Sequence, residues 1–122
     1  MYLLTVKEDF DAAHRVVGYP GKCDKLHGHC WTVEVAVVGD KLDELGMVVD
    51  FKYLKSLVRD VLNIYDHRFL NELPDFEGKN PTAENIAAVI YRRVTDGLKA
   101  NASVKHVTVW ESPGSCVTYS ED

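Results

Sequence analysis

Hydrophobic and polar residues alternate along residues 2–14 and again along residues 27–38. This two-residue period predicts two β-strands, each with one apolar face and one more polar face. The even-numbered positions form the apolar row of the first segment, and the odd-numbered positions form that of the second. Residues 16–26 contain two glycines and a proline, so a loop is expected between the strands.

A helical period replaces the alternation after a turn at residues 39–40. Asp50 is a favourable N-cap, and apolar residues spaced three and four apart follow it, which predicts a first helix. These apolar residues are Phe51, Leu54, Val58, Val61, Leu62 and Tyr65. Pro81 and Thr82 are start signals for a second helix, which we expect to end around residues 97–101. Its apolar stripe consists of Ile86, Ala87, Ile90, Val94 and Leu98.

Two short strands, residues 104–111 and 116–119, are predicted at the end of the chain, with a Pro-Gly-Ser hairpin turn at residues 113–115. The predicted order of elements is therefore ββααββ, an arrangement of the α+β class. The length of 122 residues is enough for one domain, residues 1–122, and too short for two.

The composition narrows the class of protein. Apolar residues make up 46% and charged residues 27% of the chain, which is typical of a soluble globular protein. The net charge of −5, without a run of Lys or Arg, argues against a broad nucleic-acid-binding surface. No run of about 18 apolar residues and no secretory leader occur, so no membrane association is expected. The three cysteines form no CxxC pair and are odd in number, which favours a reducing, cytoplasmic compartment.

Three of the five histidines fall on the predicted apolar faces. His27 and His29 project from one face of the second strand, and His14 ends the apolar row of the first. Imidazole is a favoured zinc donor, and three histidines leave one tetrahedral position open, as in catalytic sites. Convergence of the three depends on the register of the two strands, which the sequence does not determine. Taken alone, His14 could also be a core histidine bonded to a backbone carbonyl.

Other residues that could take part in catalysis or binding lie near or after this cluster. Cys23 precedes His27 by four residues, so a thiol accompanies the metal site. Asp66 and His67 are adjacent and could form an acid–base pair, although a histidine near a helix C-terminus is also favoured by the helix dipole. Glu111 continues an apolar row, where it could receive a ligand with adjacent N–H donors or sit at an exposed strand end.

Six fragments occur in a characteristic order: FDAAHR, CDKLHGH, GMVVDF, DHRFLN, NPTAEN and WES. As an ordered set they resemble the 6-pyruvoyl-tetrahydropterin synthase superfamily over essentially the whole chain. The short spacing between Cys23 and HGH is similar to that of the bacterial members that make 6-carboxy-tetrahydropterin in queuosine biosynthesis. Animal members have a longer insertion at this point, and some relatives carry glutamate in place of the thiol.

The resemblance implies a role for each matching residue. The zinc ligands would be His14, His27 and His29. The catalytic residues would be Cys23, as proton acceptor, with Asp66 and His67 as its acid–base partners. Glu111 would anchor the pterin ring, and Thr82 and Glu84 would belong to a secondary pterin-contact segment. Ala83 departs from some relatives, which have a second threonine there.

The resemblance also implies a substrate, a fold and an assembly. The substrate would be 7,8-dihydroneopterin triphosphate, converted with Zn²⁺ as cofactor. The fold would be the tunnelling fold, a four-stranded antiparallel sheet with two helices on one side. Such relatives form homo-oligomers, trimers or hexamers built from two trimers, with active sites shared between subunits. A four-stranded sheet has open edges, so assembly is physically reasonable.

Two alternatives remain open from the sequence. The chain could be a 6-pyruvoyl-tetrahydropterin synthase, which eliminates triphosphate without cleaving the side chain. It could instead be a non-catalytic zinc-binding module in which Cys23 is the fourth ligand of a closed structural site.

Overall fold

The computed structural model describes residues 1–20 and 25–121. Its elements, in chain order, are β1 (Tyr2–His14), β2 (His27–Gly39), α1 (Phe51–Leu62), β3 (Arg68–Phe69), α2 (Ala83–Gly97), β4 (Ser103–Ser112) and β5 (Ser115–Tyr119). Two short 3₁₀ helices, Leu70–Glu72 and Pro74–Phe76, lie between β3 and α2. The α+β class and the order of the six main elements are confirmed.

The strands form a single sheet in the order β3-β1-β2-β4-β5. The four long strands pair in antiparallel fashion, as expected. The prediction missed β3, which pairs with β1 in parallel through residues 68–69 only. A strand of two residues cannot show an alternation of hydrophobic and polar positions, and it is defined only by its pairing with β1.

Both helices pack on one face of the sheet. Even-numbered residues of β1 and odd-numbered residues of β2 and of the second half of β4 supply the strand side of one buried core, in which Phe10, Trp31 and Val109 pack with Leu54 and Ile90. The alternation in the sequence therefore predicted which side of each strand is buried.

The first helix is shorter than its apolar stripe suggests. It starts after Asp50, whose side chain accepts a hydrogen bond from the Lys52 N–H at 2.8 Å, and it ends at Leu62. Tyr65 belongs to the following turn, where its N–H donates to the carbonyl of Leu62, and its ring is fully buried. The turn thus continues the burial pattern of the helix without continuing the helix. Among residues 1–20 and 25–121, no helix combines the length and apolar character needed to cross a membrane.

Candidate metal centre

The register of β1 and β2 brings the three predicted histidines together. His14 lies opposite His27, and Ala12 lies opposite His29. Because side chains alternate along each strand, all three imidazoles project from the face of the sheet that carries the helices. One nitrogen from each ring lies within 4.8 Å of the others. The convergence that the sequence left to register therefore occurs.

Backbone carbonyls set the tautomers of two of these histidines. The Nδ1 of His14 lies 2.8 Å from the Pro81 carbonyl oxygen, and the Nδ1 of His27 lies 2.7 Å from that of Lys25. A carbonyl can only accept, so both Nδ1 atoms carry the proton and both neutral rings present an Nε2 lone pair. These two Nε2 atoms are 3.0 Å apart. Two lone pairs at that distance repel unless a cation or a proton lies between them.

His29 adds an unsatisfied nitrogen to the same cluster. Its Nε2 is buried and has no hydrogen-bond partner in the part of the chain that the structure describes. Burying such an atom without a partner costs about 1–3 kcal/mol. Three imidazole nitrogens that face one another are the donor set of a zinc-type site, whose tetrahedral ligands are roughly 3.4 Å apart for bonds of about 2.1 Å. The cluster therefore fits a metal ion held by His14, His27 and His29.

Burial also favours the protonation state that a metal needs. The pKa values of His14 and His29 are lowered, in both cases mainly because desolvation disfavours the charged ring. His14 is almost completely buried, with 1% of its surface exposed. Neutral imidazole is the form that binds metal, so the cluster is prepared for an ion at neutral pH.

A carboxylate borders the histidine cluster. The Oε2 of Glu111 lies 3.7 Å from His14 Nε2, and its Oε1 lies 4.0 Å from His29 Nε2. Glu111 also lines a cavity of about 310 Å³ together with His14, Thr82 and Glu84. The structure thus gathers the three residues expected to contact substrate around one opening next to the metal ligands. The Thr82 hydroxyl also caps α2, because it accepts a hydrogen bond from the Asn85 N–H at 3.2 Å.

Asp66 and His67 form a second group with Asp11. The Asp66 Oδ1 lies 3.0 Å from His67 Nδ1 and accepts the Asp11 N–H at 2.9 Å. The His67 N–H donates to the Asp11 carbonyl at 2.6 Å, and His67 has a φ of 60°, which is uncommon for a residue with a side chain. The hydrogen bond from the Asp11 N–H is the main cause that lowers the pKa of Asp66. Asp66 is therefore ionised and oriented toward His67, as an acid–base pair requires.

This pair is not joined to the metal cluster within one chain. No hydrogen bond or ion pair links Asp66 or His67 to the three histidines in residues 1–20 and 25–121. The dipole explanation for His67 also weakens, because α1 ends five residues earlier at Leu62. Cys23, the predicted catalytic thiol, lies outside the described residues.

Two groups that hold the candidate site residues in place could not be predicted from the sequence. One is the Pro81 carbonyl, which fixes the His14 ring, and the other is Asp11, which holds Asp66 and His67 through its backbone. A backbone contact between residues more than 50 positions apart leaves no sequence pattern. The only available signal was the placement of both residues within the fragments FDAAHR and NPTAEN.

Comparison with known proteins shows that the chain belongs to one family of pterin enzymes. The sequence model of the 6-pyruvoyl tetrahydropterin synthase family matches residues 3–122. The chain is 33% identical to 6-carboxy-5,6,7,8-tetrahydropterin synthase of Haemophilus influenzae, over 99% of this chain and 100% of that protein. It is also 39% identical to dihydroneopterin monophosphate aldolase of Pyrococcus furiosus, over 86% of this chain and 85% of that protein.

A solved structure supports the same relationship. The 6-pyruvoyl tetrahydropterin synthase of Caenorhabditis elegans superposes with a TM-score of 0.86 at 28% identity, covering 100% of this chain and 98% of that one. The superposed regions therefore include the sheet, both helices and the histidine-bearing ends of β1 and β2.

Proposed function

Because the chain belongs to the 6-pyruvoyl tetrahydropterin synthase family, we propose that this lyase is a 6-carboxy-5,6,7,8-tetrahydropterin synthase. It would convert 7,8-dihydroneopterin triphosphate and one water into 6-carboxytetrahydropterin, acetaldehyde and triphosphate. The observation that carries the proposal is the convergence of three imidazoles beside the cavity bordered by Glu111. Relatives with this activity span nearly the full chain at 32–33% identity.

The proposed cofactor is Zn²⁺ bound by His14, His27 and His29. When bound, zinc supplies a Lewis acid that lowers the proton affinity of substrate hydroxyls and stabilises developing negative charge. The chain's contribution is to orient two of the rings through backbone carbonyls and to favour the neutral form of two of them by burial. Pro81 and Lys25 accept the Nδ1 protons of His14 and His27, and burial disfavours protonation of His14 and His29.

Glu111 is the proposed anchor of the pterin ring. A carboxylate accepts hydrogen bonds from two adjacent N–H groups, as the pterin 2-amino group and N3–H provide. The cavity beside Glu111 is also lined by Thr82 and Glu84, so both can contact the ring edge as secondary residues. Because Glu111 lies close to His14 and His29, this anchor would place the substrate side chain near the metal ligands.

The proposed proton transfers use Cys23, Asp66 and His67. Cys23 would accept a side-chain proton as thiolate, and His67, oriented by ionised Asp66, would exchange the second proton. Since Asp66 and His67 form a group separate from the histidine cluster, we propose that a neighbouring subunit supplies this pair. The open edges of the sheet, at the two-residue β3 and at β5, are consistent with a homo-oligomer such as a trimer or a hexamer of two trimers.

The proposed cellular context is a reducing, cytoplasmic compartment. Cys30 and Cys116 are exposed free thiols, which fits a reducing, cytoplasmic compartment. A 6-carboxytetrahydropterin product would feed the synthesis of 7-deazaguanine nucleosides, so we assign the reaction to queuosine biosynthesis.

A second candidate activity is favoured by the Pyrococcus relative. That protein is a dihydroneopterin monophosphate aldolase, and its identity to this chain, 39%, exceeds that of the Haemophilus synthase. An aldolase would cleave the same pterin side chain without reducing the ring. We favour the synthase because Cys23 offers a thiolate that can accept the side-chain proton, as the shift of electrons from the side chain into the ring requires. Family membership also argues against the non-catalytic zinc module.

Product identification tests the proposal. Zinc-loaded protein is incubated with 7,8-dihydroneopterin triphosphate and, separately, with the monophosphate, and the products are identified by mass spectrometry. Carboxytetrahydropterin with acetaldehyde from the triphosphate supports the synthase. A pyruvoyl product, or cleavage of the monophosphate alone, would replace it with one of the two related activities. A Cys23→Ala protein prepared in parallel controls for contaminating enzymes.

A further inference from the structure

Side-chain amides hold the edge of β1 beyond its short ladder with β3. The ladder covers residues 12–13 of β1 and no more. Asn71 accepts the Arg15 N–H at 2.9 Å and donates to the Arg15 carbonyl at 2.9 Å. Asn80 likewise accepts the Val17 N–H at 2.9 Å and donates to the Val17 carbonyl at 3.1 Å. Two asparagines therefore each bind both backbone groups of one residue.

This arrangement replaces a partner strand. A primary amide carries the same donor and acceptor as a peptide group, so an Asn side chain can substitute for one residue of a neighbouring strand. Arg15 and Val17 are two positions apart and follow the end of β1, and both their N–H and their C=O groups are bound by the two asparagines. The segment opposite them contains two 3₁₀ helices and Pro74 and Pro81, which lack an N–H and cannot complete a ladder.

The clamped segment begins immediately after a metal ligand. His14 lies between the β3 ladder and Arg15, and its Nδ1 donates to the carbonyl of Pro81, the residue after Asn80. Asn80 is held in turn, because its carbonyl accepts a hydrogen bond from the Asn85 side chain at 2.7 Å. The backbone on both sides of His14 and the ring itself are thus fixed to a single segment that leads into α2.

We propose that Asn71 and Asn80 are positioning residues for the histidine cluster, because they hold the backbone after His14 while Pro81 holds its ring. The inference rests on the metal centre of the proposed function. Neither asparagine contacts a histidine of the cluster; each would act through the main chain that follows His14, at Arg15 or Val17. Partners outside the first coordination shell typically change metal affinity by 10–100-fold. We therefore expect Asn71→Ala and Asn80→Ala each to raise the zinc dissociation constant about ten-fold, and the double variant about 100-fold.

Two measurements on the full chain test this role. Zinc affinity is measured by competition with a chromophoric chelator, at a temperature where every apoprotein is folded. Amide hydrogen exchange of Arg15 and Val17, followed by NMR on the metal-free protein, reports the clamp without any metal or substrate. We expect hydrogen exchange at the Arg15 N–H to accelerate at least about ten-fold in Asn71→Ala, and that at the Val17 N–H to do the same in Asn80→Ala. In each variant the backbone N–H loses the side-chain oxygen that accepts its hydrogen bond.

Two control variants separate positioning from general destabilisation. Asn101→Ala removes an exposed asparagine at the opposite end of the sheet, beside Gly39, and should change neither measurement. Val94→Ala truncates a fully buried residue of α2 and lowers stability without touching the clamp. We expect the zinc affinity of Val94→Ala to equal that of the parent.

The outcomes are distinct. Parental zinc affinity in the double variant would overturn the positioning role and leave the proposed metal centre intact. An equal loss of affinity in Val94→Ala would also overturn it, since destabilisation alone would then explain the effect. A parent protein that binds no zinc would refute the metal centre, and the positioning role with it. Unchanged exchange at Arg15 and Val17 would show that the clamp itself does not form.

Discussion

Replacing Arg93 with leucine tests how the turn that carries Asp66 and His67 is anchored. Arg93, on α2, donates from Nε to Asp75 Oδ2 at 2.7 Å and from Nη2 to Oδ1 at 2.8 Å. The Tyr65 hydroxyl donates to the same carboxylate at 2.5 Å. Tyr65 is fully buried and immediately precedes Asp66. The bidentate ion pair thus ties the start of the turn that carries Asp66 and His67 to α2.

The structure sets the size of the expected effect. Each charge-assisted hydrogen bond contributes about 1.5–3 kcal/mol when protected from solvent. The Arg93 side chain is 42% exposed, so solvent screening reduces the two bonds to a total of about 2 kcal/mol. For 122 residues the unfolding entropy is about 0.26 kcal/mol per kelvin, so the Tm should fall by about 8 °C. Thermal unfolding of the metal-free protein at pH 7 measures this shift.

The effect should depend on pH in a defined direction. The hydrogen bonds from Arg93 hold the pKa of Asp75 below its usual range, so the folded state binds this proton less tightly than the unfolded state. The stabilisation is complete above the unfolded pKa of about 3.9 and is lost as the pH falls through the folded pKa. The difference in Tm between parent and Arg93→Leu should therefore narrow in acid.

A surface arginine provides the matched control. Arg92 contacts Tyr119 and Glu121 at the protein surface, and Arg92→Leu should change the Tm little at either pH. Arg93→Leu combined with Asp75→Asn should show strong coupling at pH 7, because both changes remove the same interaction. Additive losses, or a Tm difference that persists unchanged below pH 3, would show that the ion pair does not anchor the turn.

Three further predictions concern the site itself. Cys23→Ala should lower turnover by at least about 100-fold while zinc stays near one per chain by metal analysis, and full turnover would remove Cys23 from the mechanism. Glu111→Gln should lower kcat/KM by about 10–150-fold, mainly through KM, because it would lose the proposed charge-assisted pair with the pterin; loss of zinc instead would identify Glu111 as a ligand. In a buffer with free zinc at 100 times its dissociation constant, removing the zinc with a chelator should lower the Tm by about 10 °C and preserve the far-UV circular dichroism. The same chelator should leave the Tm of His29→Ala unchanged.

The main features of the fold could be predicted because burial imposes a simple period on each element. Alternation located β1 and β2 and identified their buried faces, and the caps at Asp50 and Thr82 located the helix starts. The end of α1 could not be found in this way, because Tyr65 is buried at helical spacing without being helical. β3 was missed because two residues cannot show a period.

The candidate site was predictable to the extent that it depends on side chains within strands. His14, His27 and His29 could be placed on matching faces, and only the strand register was lacking. The separation of Asp66 and His67 from that cluster could not be foreseen, because it depends on a turn whose geometry is set by the Asp11 backbone. Contacts made by main-chain groups, such as the Pro81 carbonyl, are independent of residue type and so leave no trace in the sequence.

The way the core continues into the histidine cluster favours a catalytic metal over a structural one. Phe10 stacks on Trp31 with ring centroids 6.1 Å apart, and Trp31 contacts the rings of His14 and His29 edge-on at 5.0 Å and 5.2 Å. The indole N–H donates to the Ala12 carbonyl at 3.3 Å, so the ring is fixed to β1. The histidines therefore rest on a packed aromatic layer whose contacts are made by protein groups alone. A metal held on such a support would not be needed to build the fold, and with three imidazole ligands it would keep a coordination position for the proposed substrate.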